Sequence, residues 1–290
     1  MLIAERQSRL KESLGRRGMA DLDTLAAELG VSQSTVRRDV EMLQQAGLVE
    51  RTHGGVIWVG EKAANGHRPY AFDQRMSFRV EVKRRIARAA KRLVRPGQTA
   101  LIDGGTTTFY FAQELLGTPL QLVTNSLPIA NLFLNDENVE LILTGGLMYP
   151  RYGVLLGPMT EEILADIHTK TLFLSVAGVH DGMLYNQNSL LVQSELRMMA
   201  QAQEIVLLVD SGKFGQQALS RLGPLAEIDI VVTDPGITAE QREQVLAAGC
   251  ELIVAEESGG IGTERGGLDE PPSKSESAKQ FPNSEYPKSE

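Results

Sequence analysis

The chain has one cysteine, Cys250, in 290 residues. That excludes an internal disulfide and a cysteine-built metal site, and it suits a reducing compartment. No apolar run approaches the about 18 residues needed to span a bilayer. The opening stretch "MLIAERQSRLKESL" places charges where a secretory leader would carry its apolar segment. These absences predict a soluble cytoplasmic protein. Neither a G-x-G-x-x-G nor a G-x-x-x-x-G-K-[ST] pattern is present, so nothing points to a dinucleotide or ATP, and no cofactor or metal is expected. There is no bulk positive charge either. The formal net charge is −8. Residues 1–60 are neutral and residues 257–290 carry −3, which leaves −5 for the stretch between. Any anion-binding surface must therefore be local.

What is present divides into segments. A 42% hydrophobic content supports a real core, and the length has room for about two domains. A first globular segment ends near residue 59. "GEKAANGHRPYA", residues 60–71, is polar and turn-rich and reads as a linker. A second globular segment runs from 72 to 256. From 257 to 290 aliphatic residues almost vanish, and such a tail is expected to stay disordered because it cannot bury enough to offset its ordering entropy.

The first segment reads as three helices and a hairpin. Residues 3–17 are amphipathic, with Ile3, Leu10 and Leu14 on one side. A second helix begins near Asp21, with Leu22, Leu25, Ala26 and Leu29 at helical spacing. Gly30 suits the end of that helix and Ser32 the cap of the next. Val36, Val40 and Leu43 then mark the buried face of a third helix. "LVERTHGGVIWV" reads as two short strands around His53-Gly54-Gly55. The order is that of a winged helix-turn-helix.

Arg37 and Arg38 follow closely on the cap of the third helix, where the unpaired N–H groups disfavour cations. DNA phosphate is a partner that helix terminus and arginines both favour. With Val36, Val40 and Leu43 inward, Ser32, Gln33, Ser34, Thr35, Arg37 and Arg38 face outward on the turns that enter a major groove. Such residues can read base edges or hold phosphates. Arg51 and His53 in the wing would touch flanking backbone or minor groove. The competing reading is a solvated face, with Asp39 and Glu41 pairing the two arginines.

The stretches "ERQSRLKESL" and "LAAELGVSQSTVRRDVEMLQQAGLVERTHGG" closely resemble the N-terminal domain of DeoR-type bacterial transcriptional regulators. The resemblance rests on the serine-capped helix, the Arg-Arg-Asp, and the Arg-x-His-Gly-Gly wing.

In the second segment continuous apolar runs alternate with helical stretches: "TALID", "LQLVT", "VELILT", "TLFLSVAG", "EIVLLVD", "IDIVVTD" and "CELIVAE". Continuous apolar runs are the signature of strands buried on both faces of a parallel sheet. The fold class is α/β, an open Rossmann-like sheet with helices on both sides. Small, hydroxyl-bearing and charged residues recur where these runs end. In such sheets ligands bind beyond the C-terminal strand ends. Gly105, Thr106 and Thr107 open a helix and can direct N–H groups and hydroxyls at an anion. Lys213 could supply a cation, and Asp103, Asn125 and Asp181 could bond hydroxyls. A phosphorylated sugar or polyol fits that set.

"VKRRIARAA", "LIDGGTTT", "LVTNSLPIA", "LILTGG", "FLSVAG" and "LVDSGKFG" resemble the DeoR-type sensor domain. The resemblance implies a fold related to ribose-5-phosphate isomerase and glucosamine-6-phosphate deaminase, with a sugar-phosphate effector. It implies effector-site positions at Asp103, Gly105, Thr106, Thr107, Thr124, Asn125, Gly146 and Lys213. The implied function is a DNA-binding regulator, a repressor of a carbohydrate-metabolism operon acting as a homo-oligomer on operator DNA and relieved by the effector. The alternative is a sugar-phosphate isomerase or deaminase with a DNA-binding appendage, using Asp103 or Asp181 for proton transfer. It requires one of these carboxylates to sit beside a base-like partner.

Overall fold

The computed structural model describes residues 3–17, 19–45, 48–52, 55–58, 72–256 and 261–264. It divides into two compact units, residues 1–82 with 150–152, and residues 83–149 with 153–290.

The first unit begins α1 (Ile3–Arg17), β1 (Met19–Ala20), α2 (Leu22–Leu29), α3 (Gln33–Gln45), β2 (Val49–Thr52) and β3 (Gly55–Trp58). Asp21 caps α2 by accepting the Thr24 N–H at 2.6 Å. Gly30 ends that helix at φ 65°, a left-handed conformation that glycine adopts without strain. Ser32 Oγ accepts the Thr35 N–H at 3.3 Å and starts α3. The expected inward set is the core: Leu10, Leu14, Leu25, Leu29, Val36, Val40 and Leu43 close on Val49 and Val56 of the wing. Each fully buried aliphatic side chain contributes about 1.5–3 kcal/mol. The wing is an antiparallel sheet in the order β1-β3-β2. His53 and the expected linker lie outside the described residues.

Helix α4 (Phe72–Met76) belongs to this unit, so the division falls later than the expected domain start at 72. The Phe72 N–H donates to the Arg151 carbonyl at 2.8 Å. The Arg75 guanidinium lies 4.8 Å from the centre of the Tyr152 ring. Helix α5 (Val80–Lys91) then leads into the second unit.

That unit runs β4 (Thr99–Ile102), α6 (Thr106–Glu114), β5 (Leu120–Thr124), α7 (Leu127–Leu132), β6 (Val139–Leu143), β7 (Leu147–Tyr149), β8 (Val154–Leu156), α8 (Pro158–Ala165), β9 (Thr169–Leu174), β10 (Gly178–His180), β11 (Met183–Asn186), α9 (Ser189–Ala200), β12 (Ala202–Leu208), β13 (Ser220–Pro224), β14 (Ile230–Thr233), α10 (Ala239–Ala247), β15 (Glu251–Ala255) and β16 (Ile261–Glu264). The central sheet has the order β16-β15-β14-β12-β9-β4-β5-β6. All seven expected runs are its parallel strands. The eighth, β16, pairs antiparallel with β15. The tail expected to be disordered from 257 is thus corrected over Ile261–Glu264, where β15 offers an open ladder that a short strand can take up. Residues 257–260 and 265–290 lie outside the described residues.

Strand order reverses between β4 and β9. The chain proceeds from β4 outward through β5 and β6, then returns to β9 and proceeds outward on the other side. The crevice at such a switch point is where an open α/β sheet places ligands.

Candidate functional site

In the first unit, Ser32, Gln33, Ser34, Arg37 and Arg38 are exposed and Thr35 is half-buried. The solvated-face reading pairs the two arginines with Asp39 and Glu41. Asp39 is instead buried and takes a two-pronged bond from Arg6 of α1, through Nε to Oδ2 and through Nη2 to Oδ1, the latter at 3.0 Å. That bond holds the Arg6 guanidinium pKa above its ordinary value. Arg37 and Arg38 make no ion pair among the described residues. The Ser32 hydroxyl lies 2.9 Å from both the Ser34 and Thr35 hydroxyls. The Gln33 amide donates to Asp23 of α2, a bond it must leave to reach a base. Arg51 lies on β2.

In the second unit the C-terminal strand ends are organised by buried carboxylates. Asp103, one residue past β4, accepts the Gly105 N–H at 3.2 Å on Oδ1. Its Oδ2 accepts the Ser175 N–H at 3.1 Å and the Ser175 hydroxyl at 3.4 Å. The loop after β4 is thereby tied to the end of β9 across the switch point. Thr108 Oγ1 donates to the Asp103 and Gly105 carbonyls at 3.0 and 2.9 Å. A Cβ on Gly105 would fall 1.7 Å from Ser175 Oγ, so only glycine fits there. In this structure Asp103 positions the loop after β4.

Gly105 caps α6 and no side chain caps that helix. The first N–H groups of a helix have no intrahelical partner. Thr106 and Thr107 stand on this first turn. Their hydroxyls make no hydrogen bond among the described residues, and both residues are nearly buried. An uncapped helix start of this kind is where an anion can be held.

Thr124 is spent on the frame: its hydroxyl donates to the Ile102 carbonyl at 2.7 Å and accepts the Ser126 N–H at 3.1 Å. Asn125 donates Nδ2 to the Leu155 carbonyl at 3.1 Å, while its buried Oδ1 has no hydrogen-bond partner. Thr144, at the end of β6, has an equally buried and unpartnered hydroxyl. Its N–H donates to the Thr124 carbonyl at 3.0 Å, so these two strand ends adjoin. Gly146 has φ 134°, and a Cβ there would meet Thr160 Oγ1 at 2.1 Å, in the first turn of α8.

Lys213 stands half-buried in a single tight turn after β12. Asp234, past β14, holds that turn by accepting the Ser211 N–H at 2.6 Å, the Ser211 hydroxyl at 2.9 Å and the Gly236 N–H at 3.1 Å. Only β9 separates β12 from β4, so their ends are about 10 Å apart by strand spacing.

The β10–β11 hairpin that carries Asp181 adjoins the Lys213 turn, since the Gly215 N–H donates to the Val179 carbonyl at 2.7 Å. Asp181 occupies the tip of this hairpin at φ 47°, followed by Gly182 at φ 68°. Two positive φ values are what a tight hairpin turn needs, and Asp-Gly supplies them. Its side chain is 85% exposed and pairs with the neighbouring His180. In the structure its backbone makes this turn, and the expectation that it binds a ligand hydroxyl rests on the sequence alone. Ser175, Asp234 and Thr144 are the contributors that sequence reasoning left out of the site. A depression at the opposite ends of β5 and β6, lined by Leu116, Gly117, Leu132 and residues 135–138, has its one aspartate committed: Asp136 takes the Gly117 N–H at 2.7 Å and the Asn138 N–H at 3.1 Å.

Residues 6–62 match the DeoR-like helix-turn-helix domain, and residues 79–235 match the DeoR C-terminal sensor domain. The HTH-type transcriptional regulator GlpR of Haloferax volcanii is 34% identical, over 87% of this chain and 98% of its own. A protein of Escherichia coli O157:H7, provisionally named as an aga operon transcriptional repressor, is 30% identical over 88% of this chain and 94% of its own. Ribose 5-phosphate isomerase A of Methanocaldococcus jannaschii overlays 64% of this chain and 99% of its own at 13% identity, with a TM-score of 0.39, too distant to bear on activity. The chain belongs to the DeoR family of transcriptional regulators, with an N-terminal helix-turn-helix and a C-terminal sensor domain.

Proposed function

We propose that the first turns of α3 bind operator DNA and that a phosphorylated sugar, held at the C-terminal edge of the central sheet, releases it. The single observation that carries the effector reading is the first turn of α6: an N-terminus with no side-chain cap, and two threonines that are buried as residues while their hydroxyls make no hydrogen bond among the described residues. A dianionic phosphate satisfies both at once. Lys213 supplies a cation within reach, and Asn125 Oδ1 accepts from a sugar hydroxyl. The output is repression of a carbohydrate-metabolism operon, in line with the name borne by the Escherichia coli relative. One helix-turn-helix reads a half-site, so the working form is a homo-oligomer.

The isomerase or deaminase reading is the weaker. Asp103 is occupied with backbone and serine donors. Asp181 meets His180 on an exposed hairpin tip.

The test is effector response at unchanged DNA binding. Lys213→Ala, or Thr106→Val with Thr107→Val, should bind operator like wild type. A charge-assisted phosphate contact contributes about 1.5–3 kcal/mol, so effector affinity should fall about ten- to a hundredfold. A Lys213→Ala protein that leaves its operator at the wild-type effector concentration would remove the lysine from the site.

A further inference from the structure

In a chain of net charge −8, residues 79–95 carry eight Lys/Arg against one acid, Glu81, while the rest of 61–256 carries −12. Most of this positive charge stands on α5. Its buried side is Lys83, Ile86, Ala87, Ala89 and Ala90. Arg84, Arg88 and Lys91, at i, i+4 and i+7, share the other side, and all three are exposed. Exposed Arg92 and Arg95 carry the charge past the helix end. The Arg84 guanidinium lies 5.7 Å from the centre of the Tyr110 ring of α6, and Arg88 Nε donates to the Arg84 carbonyl at 3.3 Å. Arg88, Lys91 and Arg95 make no ion pair among the described residues. A helix C-terminus favours cations in its last turn, which accounts for Arg88 and Lys91. It does not account for Arg84 a turn earlier, or for Arg95 beyond the helix. Lys and Arg gathered along one helix of an otherwise acidic molecule are the footprint of a polyanion binder.

We propose that this stripe is a second DNA contact, carried by the sensor unit, which holds backbone phosphates flanking the sequence that α3 reads. It rests on the chain being a DNA-binding regulator, but not on which residues of α3 touch bases. Arg84 to Lys91 rises about 10 Å along the helix, and one DNA strand presents a phosphate about every 3.4 Å of its axis. The stripe thus matches a short run of phosphates. It begins two residues after the first unit ends, and on one chain a weak contact acts at high effective concentration once α3 is engaged. An acidic protein is the poorer partner. Protein interfaces centre on apolar or aromatic anchors, and α5 has no exposed apolar side chain. A phosphate backbone needs none.

The experiment measures binding of the full chain to two labelled duplexes over a series of salt concentrations: an operator selected by the protein, with its flanks, and a random duplex of equal length. The variant is Arg88→Gln with Lys91→Gln and Arg95→Gln. Glutamine matches Lys and Arg in helix propensity, so the thermal unfolding curve should stay in place. The slope of log affinity against log salt should become shallower by about 2–3 on both duplexes, at roughly 0.9 per phosphate contact. The preference for operator over random duplex should keep its wild-type value, because phosphate contacts carry no sequence information. If the reading by α3 is wrong, wild type shows no preference between the duplexes, and the slope on random duplex still decides the stripe. An unchanged slope on both duplexes would overturn the proposal, and is the outcome expected were an acidic protein the partner. A variant that folds like wild type but loses its operator preference along with its affinity would overturn it too, since the stripe would then be reading sequence.

Discussion

Arg37 and Arg38 are the residues on which DNA binding should turn. Both are exposed, and Asp39, the acid between them and the core, is committed to Arg6. Replacing both by alanine should abolish operator binding in a gel shift and leave the thermal unfolding curve in place. Where an arginine holds a phosphate, its removal should flatten the salt dependence of binding by a slope of about 1. Asp39→Ala should do the reverse. It strands the Arg6 guanidinium, so the N-terminal unit should melt earlier, seen as a first transition moved down in calorimetry, while the exposed reading face is untouched. At the other site, Gly105→Ala forces a methyl onto the Ser175 hydroxyl. Overpacking of this kind costs about 1–3 kcal/mol. The sensor unit should lose that much stability by denaturant titration, and adding Ser175→Ala should restore part of it.

At the scale of elements, the cap of α2 gives a pH dependence. Burial pushes the Asp21 carboxyl up, but the bonds from the Thr24 N–H and hydroxyl outweigh it and hold the group below its usual range. A depressed carboxylate stabilises the fold above its unfolded pKa of about 3.9 and loses that contribution as pH falls through the folded value. Asp21→Ala should therefore cost about 1 kcal/mol near neutrality, and the difference from wild type should vanish in acid melts. Much of this architecture is legible in the sequence. The seven parallel strands announce themselves because strands covered on both faces are continuously apolar. The three-helix order is set by caps and by Val36, Val40 and Leu43. The β7–β8 hairpin and the β10-β11-β13 sheet are not legible, because these short strands are not covered on both faces and so carry no long continuous apolar run. The turn role of Asp181 is missed for a related reason: the Asp-Gly pair at a hairpin tip is recognised only once its two short strands are. The roles of Asp103, Ser175 and Thr144 depend on which strands adjoin, and β4 meeting β9 is a fact of topology that no local spacing carries.

For the whole molecule, release from DNA requires an effector that binds the DNA-incompetent arrangement better than the competent one; equal affinity shifts nothing. A sugar phosphate present at 100 times its Kd raises stability by about 2.7 kcal/mol if it binds only the folded state. A thermal-shift screen of sugar phosphates against their unphosphorylated parents should thus single out a phosphorylated compound. The decisive measurement takes that compound to the operator complex. Fluorescence anisotropy of a labelled operator, selected from random duplexes by the protein itself, should fall as the sugar phosphate is added. It should not respond to the parent sugar, and with Lys213→Ala it should require about ten to a hundred times more effector. An operator complex that every sugar phosphate leaves intact, or that the parent sugar releases equally well, would contradict the account.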